Sequence, residues 1–364
     1  MSSKNLSEYS PLKVHELVYQ HIPDKDLKFL GSGGYGNVYL VSDDFFPNLK
    51  GVVMKVSQIN EQPLEIPPLE GNIKEVQLKY EPKNDTLYIN EHKRELSLNE
   101  VIRLQKAVYA SDMVRHIRAE GISDTAFSYG TYTVGFGKHL FVLDFMEYIQ
   151  GKPLTFIKDT KTKEINLCAT LYDVITFLEC SQKLGIVHAD LKPNNIMTYS
   201  KDIPSLVKTS IIDFDNAKSF KEIKLEYTFE GKDELIKRKM ENIIIGTSCY
   251  FSPEHVSRER LIPQSDWYSL GIIATNLFRG QENINFNIMA FSQPRVIREV
   301  ALTVLEENKV NEDIIEGIAG LLHVDPLQRD LKNFKSSLED VLESTPKFTS
   351  QDFENLKIVL KNER

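Results

Sequence analysis

The apolar periodicity of this 364-residue chain changes character near Gly151, and that change limits the folds open to it. Upstream, KFLGSGGYGNVYLVS and GVVMKVSQI set β-branched and aromatic residues in short alternating runs broken by glycine and Pro47, the pattern of half-buried strands. HLFVLDFMEYI reads as a strongly apolar strand, and the two runs around PKND (82–85) read as a β-hairpin. One upstream segment is helical: from Glu91 to Val108, residues Leu98, Val101, Ile102, Leu104 and Val108 fall on one face. Downstream, INLCATLYDVITFLECSQKL, SDWYSLGIIATNLFRG and EDIIEGIAGLLHV all carry apolar stripes at three and four spacing. Strands first and helices second predict an α+β protein of two lobes, with a cleft between them as the natural ligand site.

Composition removes several functions. Lys and Arg total 44 against 52 for Asp and Glu, a net charge of -8, so a nucleic-acid or anionic-membrane footprint over the whole chain is not expected. Three cysteines, Cys168, Cys180 and Cys249, form no CxxC pair, which argues against a zinc knuckle or a disulfide framework and favours a reducing compartment. The N-terminus lacks the apolar core of a signal peptide, and no window offers a spanning helix, so a soluble, cytoplasmic protein is expected.

Two motifs carry chemistry. Gly31, Gly33 and Gly36 form GxGxxG between two predicted strands; without Cβ atoms, such a backbone can bring its N–H groups close to phosphate oxygens. A dinucleotide-binding loop would open a helix, whereas a strand ending in Val53-Met54-Lys55 follows here; a plain glycine turn is the simpler alternative. The second motif is Val187-His188-Ala189-Asp190-Leu191-Lys192-Pro193-Asn194-Asn195, followed by Ile211-Ile212-Asp213-Phe214-Asp215. Carboxylates and an amide so spaced offer hard oxygens for Mg²⁺ and a proton acceptor for a hydroxyl.

These residues resemble the eukaryotic-type Ser/Thr protein kinase family, over about Leu27 to Leu342. The resemblance implies a bilobal kinase-like fold: an N-terminal extension (1–26), a β-rich N-lobe (27–149) with an inserted hairpin at about 61–90, a mainly helical C-lobe (150–343) and a tail (344–364). It implies ATP and Mg²⁺ as cofactors and a protein as substrate. Asp190 would accept the substrate hydroxyl proton, Lys192 would stand beside the transferring phosphate, and Asn195 and Asp213 would hold the metal. Lys55 would hold nucleotide phosphates beneath a loop of Gly31, Ser32, Gly33, Gly34, Gly36 and Val38, paired with Glu100 in preference to Glu95 or Glu91. Met146 would be the gatekeeper, with Glu147 and Tyr148 presenting backbone to adenine. Three further segments match in order: Gly246 to Glu254 as the end of an activation segment, Ser265 to Gly271 as the start of a buried helix, and Asp325-Pro326-Leu327-Gln328-Arg329. They predict a buried Glu254–Arg329 ion pair and an Asp266 carboxylate bonded to the backbone around His188.

Departures from the family pattern set the alternatives. Ala189 replaces the arginine beside the catalytic aspartate, which makes this a non-RD sequence, and Asp215 replaces a glycine. With no donor at Ala189, phosphorylation at Tyr227, Thr228 or Ser248 would order the segment less, unless Lys237, Arg238 or Lys239 substitutes. The stretches from Lys55 to Glu100 and from Asp213 to Glu254 are long; the first could dock a regulatory protein, and the charged run Lys232 to Glu241 reads as a solvated helix. A small-molecule kinase of the aminoglycoside or choline type, or a pseudokinase scaffold, are the competing functions. Inserted small lobes also resemble effectors that intracellular bacteria deliver into host cells, and the C-terminal ENLKIVLKNER is compatible with an export signal.

Overall fold

The structure is a computed structural model. It describes residues 27–33, 36–44, 51–58, 78–81, 86–89, 92–95, 98–122, 125–136, 139–154, 162–200, 207–219, 246–257, 259, 261–280 and 294–344. The N-terminal extension, Gly34, the connector before the hairpin, the run from Lys232 to Glu241, the segment sites Tyr227 and Thr228, and the C-terminal tail beyond Ser344 lie outside the described residues.

Two compact units divide the chain. The first holds the described residues up to Ser111 together with Phe127–Tyr148. Its frame is a five-stranded antiparallel sheet, β1 (Leu27–Gly33), β2 (Gly36–Val41), β3 (Val52–Gln58), β8 (His139–Glu147) and β7 (Ser128–Phe136), hydrogen-bonded in that order. Side chains alternate across such a sheet. Val41, Val52, Met54, Leu143 and Phe145 form an apolar core on one face, packed by Tyr39, Val56 and Phe141. Pairing of Val38 with Lys55 and of Lys55 with Asp144 therefore lays Val38, Lys55 and Asp144 in a row on the other face.

The expected hairpin is present as β4 (Leu78–Glu81) and β5 (Thr86–Ile89), and β6 (His92–Glu95) extends it into a three-stranded meander. This corrects the expected helix boundary: the residues His92–Glu95 pair with β5, and helix α1 spans Leu98–Ala119. Glu95 is thus a strand residue, Glu91 lies outside the described residues, and Glu100 sits in the first helical turn, where the helix dipole favours an acid. The helix stops where Gly121 takes φ +82° and Ile122 N–H returns to the Ile117 carbonyl.

The second unit holds Asp112–Ala126 and the described residues from Ile149 onward. Helices α2 (Thr162–Leu184), α3 (Pro263–Arg279), α4 (Pro294–Glu307), α5 (Glu312–Leu321) and α6 (Leu331–Ser344) supply its core. Two small antiparallel sheets carry its polar loops: β9 (Lys152–Pro153), β11 (Ile196–Ser200) and β12 (Val207–Ile211) in one, β10 (Ile186–Val187) and β13 (Lys218–Ser219) in the other. Asp173, buried in α2, fixes β12 by accepting both the Thr209 N–H (2.6 Å) and the Thr209 hydroxyl (2.8 Å). The protein is therefore α+β, an antiparallel sheet unit and a mainly helical unit.

Candidate active site

In the helical unit the loop from His188 to Asn195 is shaped by one carboxylate. Asp266, in the first turn of α3 and 1% exposed, accepts the His188 N–H through Oδ2 (2.7 Å) and the Ala189 N–H through Oδ1 (3.0 Å). Both expected bonds are in place. Burial pushes the Asp266 carboxyl up to about 6, against the pull of these two N–H groups. The two bonds hold Ala189 in the left-handed region at φ +63°, where a non-glycine residue is uncommon, and this turns Asp190 away from the strand direction of β10.

His188 ties the loop to the segment after β12. Its Nε2 donates to the Ile212 carbonyl (3.0 Å), so its Nδ1 accepts, and takes the Asp190 N–H at 3.3 Å. The Ile212 N–H in turn donates to the Asn195 carbonyl (2.9 Å). The peptide before Asp213 is thereby clamped between His188 and Asn195. Asp213 follows with φ +67°, and Phe214 turns inward, 3% exposed, against the rings of His188 (4.8 Å) and Phe177 (6.2 Å). Asn195 Nδ2 donates to the Asp190 carbonyl (3.0 Å), which orients the amide oxygen away from that bond.

Asp190 itself is 6% exposed and held on both oxygens. Oδ1 accepts the Thr247 N–H (2.9 Å), and Oδ2 accepts from Lys192 Nζ (2.8 Å). Lys192 Nζ also donates to the Thr247 hydroxyl (2.9 Å), closing a ring through three residues, one link of which is the Thr247 backbone N–H. Gly246 permits this approach: at φ +138°, a Cβ there would stand 2.8 Å from a ring carbon of Phe251 and 3.2 Å from both Asp190 Oδ1 and the Ala189 carbonyl. The sequence pointed to Thr247 as a landmark; its bridge between Asp190 and Lys192 emerges only from the fold.

Beyond Thr247, the segment is anchored by the expected ion pair. Arg329 and Glu254 are bidentate, Nη1 to Oε1 at 2.7 Å and Nη2 to Oε2 at 2.8 Å, with side chains 0% and 4% exposed. Burial alone would push the Glu254 carboxyl up; the Arg329 guanidinium and the Ser265 hydroxyl (2.7 Å) outweigh it and hold the group below its usual range. The remaining Arg329 donors reach the carbonyls of His323, Gln264 and Val324.

The sheet unit carries the other expected site residues. Gly33 pairs with Gly36 and Ser32 with Asn37 across the β1–β2 turn, so the glycines form a hairpin and not the mouth of a helix. Gly31 faces Val38, and a Cβ on Gly31 would meet nothing within 4 Å. Lys55 lies on β3 beside Val38, and Glu100 is 6% exposed on α1. Met146 is the next-to-last residue of β8, on the Lys55 face, opposite Val53. The hinge expectation narrows: the Glu147 N–H donates to the Phe127 carbonyl (2.8 Å) and the Tyr148 N–H to the Gly51 carbonyl (2.7 Å). Those two residues therefore have carbonyl oxygens, and no uncommitted N–H groups, to present to a base. Asp144 is the residue the sequence undervalued, a buried acid in the apolar run of β8 whose Oδ1 accepts the Thr131 hydroxyl (2.6 Å).

A loop that fixes a carboxylate beside a lysine, with an amide and a second acid at the ends of adjacent strands, is the arrangement of a phosphotransferase domain. The protein kinase domain family matches residues 25–333, and the chain belongs to that family. It is similar to a probable serine/threonine-protein kinase of Clostridium perfringens, 25% identical over 54% of this chain and 26% of that protein. It is also similar to the probable serine/threonine-protein kinase PknB of Lactococcus lactis, 22% identical over 90% of this chain and 42% of that protein. With calcium-dependent protein kinase 2 of Arabidopsis thaliana the identity is 35% over 33% of this chain and 16% of that protein. The chain thus spans less than half the length of these relatives. Among the described residues no helix is long and apolar enough to cross a membrane.

Proposed function

We propose that the chain is a serine/threonine protein kinase that transfers the γ-phosphate of ATP to protein hydroxyls. The observation that carries this is the Asp190 carboxylate, held in one orientation by the Thr247 N–H and Lys192 Nζ. A fixed carboxylate orients a hydroxyl for in-line attack and accepts its proton, and Lys192 balances charge on the transferred phosphoryl group. In the sheet unit, Lys55 binds phosphate oxygens, Glu100 pairs with Lys55, the Gly31–Gly36 hairpin covers the phosphates, and Met146 with the Glu147 carbonyl borders the base.

Asn195 and Asp213 fit a Mg²⁺ ion. Both offer hard oxygens, and the amide nitrogen of Asn195 is already engaged with the Asp190 carbonyl, which leaves its oxygen as the ligand. A bound Mg²⁺ would neutralise charge between the phosphates. The β4–β6 meander, which ends just before α1, is the surface on which a regulatory protein would act on the helix carrying Glu100.

The test is transfer from labelled ATP to generic protein substrates, to small aminoalcohols, or to neither. Label on serine or threonine of protein supports the proposal. Label only on aminoalcohols identifies a small-molecule kinase, and none on either identifies a scaffold.

A further inference from the structure

The sheet unit holds a charge that the proposed mechanism does not use. Asp144 is 9% exposed in the middle of β8, where its neighbours Val142, Leu143 and Phe145 are buried and apolar. A buried carboxylate is costly unless a cation and hydrogen bonds compensate it. Its Oδ1 takes the Thr131 hydroxyl from β7 on one side. On the other side, in register across β3, is Lys55. Directly opposed residues in an antiparallel pair point to the same face with Cβ atoms about 4.5–5.5 Å apart, within easy reach of a lysine and an aspartate. Met146, two residues on, shares that face, whereas Leu143 and Phe145 point to the apolar core.

We propose that Asp144 is a positioning residue for Lys55, a second carboxylate that holds the ammonium from within the sheet while Glu100 holds it from α1. The inference rests on the phosphate-binding role assigned to Lys55 above. Thr131 fixes Asp144, Asp144 fixes Lys55, and all three strands belong to one sheet, so Lys55 keeps its direction when the Glu100 contact is lost. Dependence of nucleotide binding on the helix carrying Glu100 is correspondingly weak.

The experiment compares ATP affinity, the KM for ATP and kcat in the full chain for Lys55→Met, Glu100→Gln, Asp144→Asn and Asp144→Asn/Glu100→Gln. Thermal midpoints without nucleotide confirm folding. Asparagine keeps the acceptor for Thr131 and removes the charge. Thr131→Val serves as the milder probe if asparagine does not fold, and should weaken ATP binding further in the Glu100→Gln background. The expected result is that Glu100→Gln binds ATP within about tenfold of wild type, roughly 1.4 kcal/mol. The double variant should bind as weakly as Lys55→Met, and Asp144→Asn should raise the KM for ATP more than it lowers kcat. A purely structural role for Asp144 would move the midpoint and leave the KM alone. A double variant no weaker than Glu100→Gln, with Lys55→Met deficient, overturns the inference alone. Wild-type ATP affinity in Lys55→Met overturns the role of Lys55 and the inference with it.

Discussion

Replacing Glu254 by glutamine keeps the shape of the buried pair and removes its negative charge. Arg329 is wholly enclosed and spends its donors on two carboxylate oxygens and the carbonyls of His323, Gln264 and Val324. In Glu254→Gln the carbonyls remain, but the guanidinium charge is left without a counter-ion at 0% exposure. Breaking a buried pair from one side costs about 3–5 kcal/mol. With a urea slope of about 3 kcal/mol/M, that is a midpoint about 1–2 M lower. The single tryptophan, Trp267, lies beside Asp266 in α3 at 7% exposure and reports unfolding of this unit by fluorescence. Replacing both partners by methionine should cost less than either single change, because no buried charge is then stranded. A Glu254→Gln loss below about 1 kcal/mol, or a double variant as damaged as the sum of the singles, would refute the reasoning.

Three further outcomes are expected. Asp190→Asn should lower turnover by roughly 10² to 10⁴ with nucleotide affinity nearly intact, whereas Asp213→Ala should also weaken Mg²⁺-dependent ATP binding; a Mg²⁺ titration alongside initial rates separates the two. Gly246→Ala should disturb the Thr247–Asp190 contact and destabilise the segment by roughly 1–3 kcal/mol, seen as lost activity with ATP affinity retained. Burial, then the Lys218 charge, pushes His255 down to about 4 where it stacks 3.9 Å from Phe251. The unfolded chain therefore binds the extra proton first, and stability falls as pH drops from 6.5 to 4, by about 3 kcal/mol. Asp266, pushed up to about 6, acts oppositely as pH drops below that value, so the difference between wild type and His255→Phe is the quantity to follow by urea unfolding.

Much of this was legible from residue type. Asp266, Glu254 and Arg329 stand in short motifs whose partners are buried by the fold, so their bonds follow from the sequence. The positive φ at Ala189 and Asp213 could not, since neither is glycine and the strain is imposed by Asp266 and by the clamp on Ile212. His92–Glu95 misled because its strand is made by backbone pairing to β5, without the alternating apolar residues that announce one. Asp144 was hidden for a different reason: its meaning depends on which residue of β3 lies across from it, and register between strands so distant in sequence is not encoded in either strand alone.

The clamp on His188 has a consequence for how the protein is made. Synthesis runs from the N-terminus, and Asp266 lies 77 residues beyond the Ala189 N–H it holds. Arg329 lies a further 75 beyond Glu254. While the loop from His188 to Asn195 is leaving the ribosome, nothing yet exists to set its left-handed turn, and the segment that will steady Asp190 has no anchor. The geometry around Asp190 arises only after α3 and the turn carrying Arg329 have emerged, when the helical unit is nearly complete.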